Sequence, residues 1–172
     1  GIEYRHVSGF DGNYRIPEIT GSGAALADLD GDGDLDAYIV QSGSLVVPSQ
    51  ATDQVYFNRG DGYFDRGESP PDGDGYGMGV TAGDYDNDGD VDLYVTNIGS
   101  NLLMQNDGKG NFQNVASAAG VADPGWGTSA AFFDFDIDGD LDLYVTNYIQ
   151  WGIDAELECY MAGVRTYCPP QN

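Results

Sequence analysis

Residues 28–36 read DLDGDGDLD and are followed at once by the apolar residues AYIV (37–40). Five aspartates occupy alternate positions of this nine-residue stretch. Two carboxylates about 5 Å apart repel each other by roughly 3 kcal/mol at an effective dielectric constant of 20. Five such groups in one turn therefore oppose folding unless a cation neutralises them.

The acidic stretch occurs twice more in the chain. DYDNDGDVD (84–92) and DFDIDGDLD (134–142) both precede LYVTN, and the first aspartates of successive copies are 56 and 50 residues apart. A period of this size is typical of propellers and solenoids. Runs of strand length precede the three copies: GSGAALA, GMGVTAG and GWGTSAAFF. Each unit is therefore predicted to contain a strand, an acidic turn and a second strand.

Two further strands are predicted after each of the first two hairpins. The segments DQVYFNRGDGYFDRGE (53–68) and NLLMQNDGKGNFQNVA (101–116) both place a Gly-rich turn between two strand-like runs. Four short antiparallel strands make a β-propeller blade. The predicted fold is thus all-β, with acidic hairpin loops. It has about two and a half blades, fewer than the roughly four that close a ring.

The repeats predict a single repeat domain over residues 1–172, with connections at 42–52 and 67–77 and no helix of usable length. Its predicted parts are an N-terminal strand segment (1–22), repeat 1 (23–78), repeat 2 (79–124), the start of repeat 3 (125–150) and a C-terminal tail (151–172).

The acidic loops have the donors that calcium prefers, which are six to eight hard oxygens at about 2.3–2.6 Å. Acids stand at positions 1, 3, 5, 7 and 9 of each loop, and a glycine at position 6 allows a sharp bend. An EF-hand begins with the same spacing, but it needs a glutamate at position 12 and flanking helices. Position 12 is Ile39, Val95 or Val145 inside a predicted strand, so the sequence is inconsistent with an EF-hand.

About three Ca²⁺ ions are predicted, each bound by four side chains and the backbone carbonyl at position 7. The predicted ligands are Asp28, Asp30, Asp32, Asp34 and Asp36 in the first loop, Asp84, Asp86, Asp88, Asp90 and Asp92 in the second, and Asp134, Asp136, Asp138, Asp140 and Asp142 in the third. The alternative is three solvated acidic turns, since Asp-Gly favours turns without any metal. Identical spacing in three copies favours the metal, and Mg²⁺ fits less well because it dehydrates reluctantly.

The overall charge limits the classes of partner. The chain has 29 Asp and Glu residues and only 6 Lys and Arg residues, so its formal net charge is −23. Binding to nucleic acid requires a basic surface, and this composition argues against it. The same charge disfavours an anionic membrane surface, and no window has the 18 or so apolar residues of a membrane-spanning helix.

The pattern GxGxxxxDxDxDGDxDLYVxN followed by NxLxxNxGxGxFxxV resembles the FG-GAP/VCBS repeat of integrin α-subunit propellers and their bacterial relatives. A closer resemblance is to the ASPIC/UnbV, cartilage-acidic-protein-like group. It rests on GIEYRHVSGFDGNYRIPEITGSGAALADLDGDGDLDAYIV (1–40) and GWGTSAAFFDFDIDGDLDLYVTNYIQW (125–151). Members of the family usually carry enough repeats to close a ring, typically of seven blades. The chain departs from them in having fewer.

The resemblance implies a non-catalytic, extracellular or cell-surface module that binds a protein or glycan partner. In an oxidising location Cys159 and Cys168 are expected to form a local disulfide, and two free thiols are the alternative. Two other functions are compatible with the sequence. One is a self-assembling subunit of an extracellular filament, in which other copies cover the open strand edges. The other is a fragment of a larger propeller protein or enzyme.

Three local features have a structural explanation that we favour. The tripeptide RGD (59–61) aligns with the turn of the next repeat, so we expect it to be a turn and not an adhesion site. The single histidine, His6, has no nucleophile pattern beside it. Trp126 and Trp151 are able to stack on sugars, but packing within or between blades is the favoured role.

Overall fold

The structure is a computed structural model that describes residues 1–47, 51–71 and 75–168. The predicted connections at 42–52 and 67–77 and the predicted tail at 151–172 lie partly outside the described residues.

Short strands make up most of the regular structure. They are β1 Ala24–Ala27, β2 Asp36–Ile39, β3 Gln54–Asn58, β4 Phe64–Arg66, β5 Tyr76–Gly83, β6 Asp92–Ile98, β7 Leu102–Asn106, β8 Phe112–Asn114, β9 Gly127–Phe133, β10 Asp142–Asn147, β11 Cys159–Met161 and β12 Val164–Thr166. One helical turn, α1, spans Ala116–Ala119, and 3₁₀ turns span Ile16–Ile19 and Ile153–Ala155. In the ranges described, no helix is long and apolar enough to cross a membrane.

The strands form four antiparallel sheets. β1-β2-β3-β4 and β5-β6-β7-β8 are complete four-stranded sheets, whereas β9-β10 and β11-β12 are two-stranded. Strands that are adjacent in the sequence are adjacent in each sheet, as is usual for antiparallel connections. This arrangement confirms the predicted all-β fold of partial propeller blades, open and not closed into a ring.

The hydrophobic core lies between neighbouring sheets. Apolar side chains of the first and second sheets form one cluster: Ala27, Leu29, Tyr38, Val40, Val55, Leu93, Val95, Leu102 and Met104. Tyr94, Leu103 and Ala116 form another, against which Ala130, Phe132, Leu143 and Val145 of the third sheet pack. Each sheet is therefore stabilised by the next one along the chain, as in a propeller.

The glycines that precede the acidic loops allow the first strands of neighbouring sheets to approach closely. A Cβ atom added to Gly79 in β5 would lie 2.9 Å from the carbonyl oxygen of Thr128 in β9. Real Cβ atoms do not approach so closely, and any larger residue there would push the two sheets apart. The repeated glycine is thus a packing requirement of the array.

Residues 1–22, predicted as a strand segment, form no regular strand and contain a 3₁₀ turn. Side-chain hydrogen bonds hold this segment on the first sheet. Tyr4 donates its hydroxyl to the carbonyl of Val40 (2.9 Å), and the N–H of Val7 donates to Oε1 of Gln41 (2.7 Å). Contacts with side chains replace the ladder of backbone bonds that the sequence pattern suggested.

Candidate metal centres

The acidic segments form three tight loops, named here loop 1 (28–36), loop 2 (84–92) and loop 3 (134–142). In each, the first aspartate accepts two backbone N–H bonds from later in the loop. Asp28 accepts from Gly31 (2.8 Å) and Gly33 (3.0 Å). In loops 2 and 3 the first aspartate again accepts the N–H at position 6, from Gly89 and Gly139, and its second bond comes from position 5, Asp88 and Asp138. The first carboxylate therefore curls the loop as well as facing its centre.

The ninth aspartate anchors the loop to the sheet. Asp36 and Asp92 are both 0% exposed. One carboxylate oxygen of Asp36 accepts the N–H of Leu29 (2.8 Å), and the other accepts the N–H of Asn58 (2.8 Å). Asp92 accepts from Tyr85 and Asn106 in the same way. These bonds compensate for the burial of two carboxylates.

An asparagine at the end of the third strand of each complete sheet closes the loop. The side-chain amides of Asn58 and Asn106 donate to the carbonyls of Leu35 (3.2 Å) and Val91 (3.0 Å), which are the eighth residues of loops 1 and 2. Neither asparagine was predicted as part of a site. Their shared N-x-G-x-G context in both repeats was the pattern that marked them.

Carboxylate oxygens converge in all three loops, in groups whose atoms lie within 4.8 Å of one another. Two oxygens bound to one ion at 2.3–2.6 Å are at most about 5 Å apart, so this spacing fits a shared calcium ion. The groups are Asp28, Asp30 and Asp32 in loop 1, Asp84, Asp86 and Asp92 in loop 2, and Asp134, Asp136 and Asp142 in loop 3.

Other predicted ligands lie outside these groups. Asp36 is absent from the group in loop 1, and Asp88 and Asp138 are absent from those in loops 2 and 3. The side chains of Asp88 and Asp138 accept the N–H of Asp90 (3.0 Å) and Asp140 (2.9 Å), a bond that Asp32 also makes with Asp34 in loop 1 (2.9 Å). Ligation by these residues and by the carbonyls at position 7 remains a prediction.

The side chains at position 7 face the next turn of the same repeat. A Cβ atom on Gly60 would lie 2.7 Å from Oδ2 of Asp34, and one on Gly108 would lie 2.4 Å from Oδ1 of Asp90. Both glycines also have positive φ, +71° and +69°. Only glycine meets both conditions, so the acidic loop and the Gly-rich turn fit each other as a pair.

Burial and mutual repulsion change the acidity of the loops. Burial raises the pKa of Asp92 to about 6. The pKa of Asp30 is also raised, first by burial and then by the charges of Asp36 and Asp32. A bound cation would offset this unfavourable electrostatic energy, because it favours the ionised carboxylates.

Loops 2 and 3 are in direct contact. The side-chain amide of Asn87 in loop 2 donates to Oδ1 of Asp140 in loop 3 (2.8 Å). Asn87 has a φ of +59°, and Ile137 occupies the same position of loop 3 with a φ of +63°. Left-handed backbone is tolerated by asparagine but strained for a β-branched residue.

Three further sequence features have clear places in the structure. Arg59 and Asp61 lie in the turn between β3 and β4, where Arg59 approaches Asp61 (3.7 Å) and Asp65 (3.6 Å). Trp126 is buried, with ring contacts to Tyr148 and Trp151. Cys159 and Cys168 form the expected disulfide beside the β11–β12 hairpin.

Comparison with protein families agrees with this repeat geometry. The model of the FG-GAP-like repeat matches residues 28–95 and 84–145, and each match runs from the first aspartate of one loop to the strand after the next loop. The two matches overlap and together cover residues 28–145, well over half of the 172 residues. No curated protein matches the chain. The chain therefore belongs to the FG-GAP-like repeat family, with blades of the β-propeller type.

Proposed function

We propose that the chain is a calcium-stabilised FG-GAP repeat module with a non-catalytic role in protein or glycan interaction outside the cell. The observation that carries the calcium role is the convergence of carboxylate oxygens within 4.8 Å in all three loops. The first aspartate of every loop is oriented by backbone N–H bonds toward that same centre. Three independent copies of one geometry favour a shared ligand over three solvated turns.

Calcium is the cation that this donor set supports best. The loops supply only hard oxygens, and the residues that would hold the ion are the carboxylates of each group together with the position-7 carbonyl. Three Ca²⁺ ions would change the formal net charge from −23 to −17. When bound, the ions would supply electrostatic stabilisation and no chemistry, so the role is structural.

Two features support the proposed extracellular location. FG-GAP-like repeats and a disulfide are both typical of extracellular proteins, and Cys159 and Cys168 are paired. Calcium sites of extracellular modules are often weak, with dissociation constants of about 0.1–1 mM, and are filled at external calcium concentrations. We place the chain in the ASPIC/UnbV, cartilage-acidic-protein-like group on the sequence resemblance described above.

The open third sheet favours a second candidate function. β9 and β10 present an exposed face, where Phe133 is 43% exposed and Tyr144 is 62% exposed. A propeller blade normally buries such residues against more strands. The chain is then one part of a larger propeller, or a subunit that other copies extend into a filament.

Titration calorimetry and thermal unfolding test the calcium role. We expect about three ions per chain and a melting temperature that falls markedly with a chelator. At a free calcium concentration 100 times the dissociation constant, one site adds about 2.7 kcal/mol to the free energy of unfolding. The substitutions D30N, D86N and D136N should each remove one ion, whereas D65N, at an exposed aspartate outside the loops, should remove none. An unchanged melting curve with chelator would contradict the proposal.

A further inference from the structure

A cavity of about 510 Å³ lies next to the start of β9, far along the sequence from loop 1. It is lined by Ile98 at the end of β6, by residues 124–126 before β9, and by the segment 147–151 at the end of β10. Its volume is within the range of small-ligand sites, about 300–1,000 Å³. We name it the aromatic cavity, because Trp126, Tyr148 and Trp151 all contribute to its wall.

The three aromatic rings stand at steep angles to one another. The rings of Tyr148 and Trp151 meet that of Trp126 edge to face, with centroid distances of 5.3 and 5.7 Å and interplanar angles of 76° and 72°. The backbone N–H of Tyr148 also donates to the carbonyl of Trp126 (2.9 Å). Trp126 is 3% exposed and Tyr148 is 64% exposed, so a ligand would meet a buried indole and an accessible phenol ring.

Hydrogen bonds to two acidic side chains hold the rest of the wall in place. The carboxylate of Asp123 accepts the side-chain amide of Asn147 (2.6 Å) and the backbone N–H of Gly125 (3.1 Å). The carboxylate of Glu156 accepts the indole N–H of Trp151. The wall is therefore formed before a ligand arrives, and a preformed wall reduces the ordering cost of binding.

The lining of the aromatic cavity is uncharged. Charged residues make up 20% of the chain, but none of the described residues that line the cavity is charged. An ion that enters such a cavity loses its hydration without gaining a charged partner, which is unfavourable. The lining therefore favours a neutral ligand.

The same cavity is not purely apolar. The indole Nε1 of Trp126 is buried and has no hydrogen-bond partner among the described residues. An indole N–H can only donate, and a buried donor without an acceptor is unfavourable. The side chain of Gln150 adds an exposed amide with one acceptor and two donor hydrogens. A ligand that fits this wall therefore has an apolar face for the rings and hydroxyl groups for the amide and the indole.

We propose that the aromatic cavity binds a neutral sugar ring of a glycan. The C–H face of the sugar stacks on Tyr148 and Trp151, one hydroxyl accepts the N–H of Trp126, and a neighbouring hydroxyl bonds to the amide of Gln150. This inference rests on the proposed interaction function and names the chemical class of its ligand. It assigns the ligand to the cavity and not to the acidic loops.

Tryptophan fluorescence tests the proposal directly, because the chain has only two tryptophans and both line the cavity. The probes are the methyl glycosides of glucose, galactose and N-acetylglucosamine, added to the full chain in calcium. We expect a saturable change in emission with at least one of them. Glucuronic acid and glucosamine are the charged controls, and we expect them to bind at least about ten-fold more weakly than the best neutral sugar.

Variants of the chain locate the sugar. Tyr148→Ala should weaken binding about ten-fold because it removes a stacking ring, whereas Tyr148→Phe should retain it. Gln150→Ala, at an exposed side chain, should also weaken binding without a loss of packing. Tyr160→Ala is the matched control, since Tyr160 is 61% exposed and lies on β11, outside the cavity.

Several results would overturn the sugar site. They are an emission that no neutral sugar changes, equal affinity for the charged sugars, and equal weakening by Tyr160→Ala and Tyr148→Ala. Saturable binding of adenosine or of an apolar peptide in place of every sugar would overturn it as well.

Calcium titration separates this inference from the proposed calcium role. Tyr148→Ala should still bind about three ions, because Tyr148 lies outside the acidic loops. If sugar binding fails while calcium binding is intact, the sugar site alone is wrong. If sugar binds but calcium does not, the calcium role alone is wrong.

Discussion

The backbone N–H of Asn106 lies 2.8 Å from Oδ1 of Asp92 and ties the end of β7 to the end of loop 2. Asn58 and Asp36 repeat this bond in the first sheet at the same distance. The ninth aspartate of a complete repeat thus connects the acidic loop to the third strand of its sheet. In loop 2 it also belongs to the carboxylate group that would bind the proposed ion.

Substituting this aspartate should have effects that depend on the completeness of the sheet. D92N places an amide where two backbone N–H groups require an acceptor, and we expect a loss of about 1–3 kcal/mol in the free energy of unfolding without calcium. D142N removes a carboxylate that is exposed and accepts only one such bond, so its loss should be smaller. Urea unfolding in chelator measures both. Equal losses would show that the bond from Asn106 to Asp92 contributes little to the free energy of unfolding.

Close approach of the first strands predicts a strong effect at Gly79. G79A introduces a Cβ atom 2.9 Å from the carbonyl of Thr128, and we expect a loss of about 1–3 kcal/mol from overpacking. G21A is the matched control, because a Cβ atom on Gly21 meets nothing within 4 Å. Thermal unfolding of both variants in calcium is sufficient. Similar melting temperatures would contradict the packing role of Gly79.

The left-handed residue at position 4 of the loops predicts a reciprocal pair of variants. Ile137 is 88% exposed and has a φ of +63°, so I137N should stabilise the chain by about 1 kcal/mol through relief of backbone strain. N87I should destabilise it by at least as much, because it adds the strain and removes the bond to Asp140. Chemical denaturation measures both. Shifts of the same sign would contradict this explanation.

The pH dependence of stability should change sign with calcium. Asp92 has a folded pKa of about 6, above the unfolded value of 3.8, so the metal-free fold binds its proton more tightly and loses stability as the pH rises through this range. The raised pKa values of Asp30 and Asp90 act in the same direction. We therefore expect the metal-free chain to be more stable at pH 5 than at pH 7.5. With calcium the order should reverse, because protons compete with the ion.

His6 opposes this trend near neutral pH and requires a control in that experiment. Burial lowers the pKa of His6, which makes the fold less stable as the pH falls below about 6.5. The variant H6Q removes this contribution and should make the metal-free trend steeper, whereas D92N should weaken it. Melting curves of the H6Q and D92N variants across the pH range measure these two effects. If the melting temperature of metal-free H6Q rises steadily with pH, the explanation by the raised pKa of Asp92 is wrong.

Much of the architecture was predictable because it repeats. Apolar runs of strand length and Gly-rich turns indicate strands and hairpins from neighbouring residues alone. The hairpins around loops 1 to 3 could therefore be predicted from the sequence. The exclusion of an EF-hand also needed only Ile39, Val95 and Val145. The disulfide between Cys159 and Cys168 was predicted on location and spacing, and the structure contains it. The domain boundaries remain predictions.

Contacts between residues far apart in the sequence could not be predicted from the repeat pattern. Asn106 lies 14 residues after Asp92, and nothing local indicates that the two meet. Residues 1–22 were predicted as a strand segment, yet contacts of Tyr4 and Val7 with Val40 and Gln41 hold the beginning of this segment on the first sheet without a regular strand. Position 9 was predicted as a simple metal ligand, whereas burial makes Asp36 an anchor of the sheet.

The hydrogen bond from Asn87 to Asp140 couples the conformations of loops 2 and 3. An ion that orders loop 2 also fixes the amide that holds loop 3, so the ordering cost of the second loop is partly met before its own ion arrives. Under the proposed calcium role, binding at loops 2 and 3 should therefore be cooperative, with a titration curve steeper than that of independent sites. The calcium response that we propose would then be cooperative between these two loops.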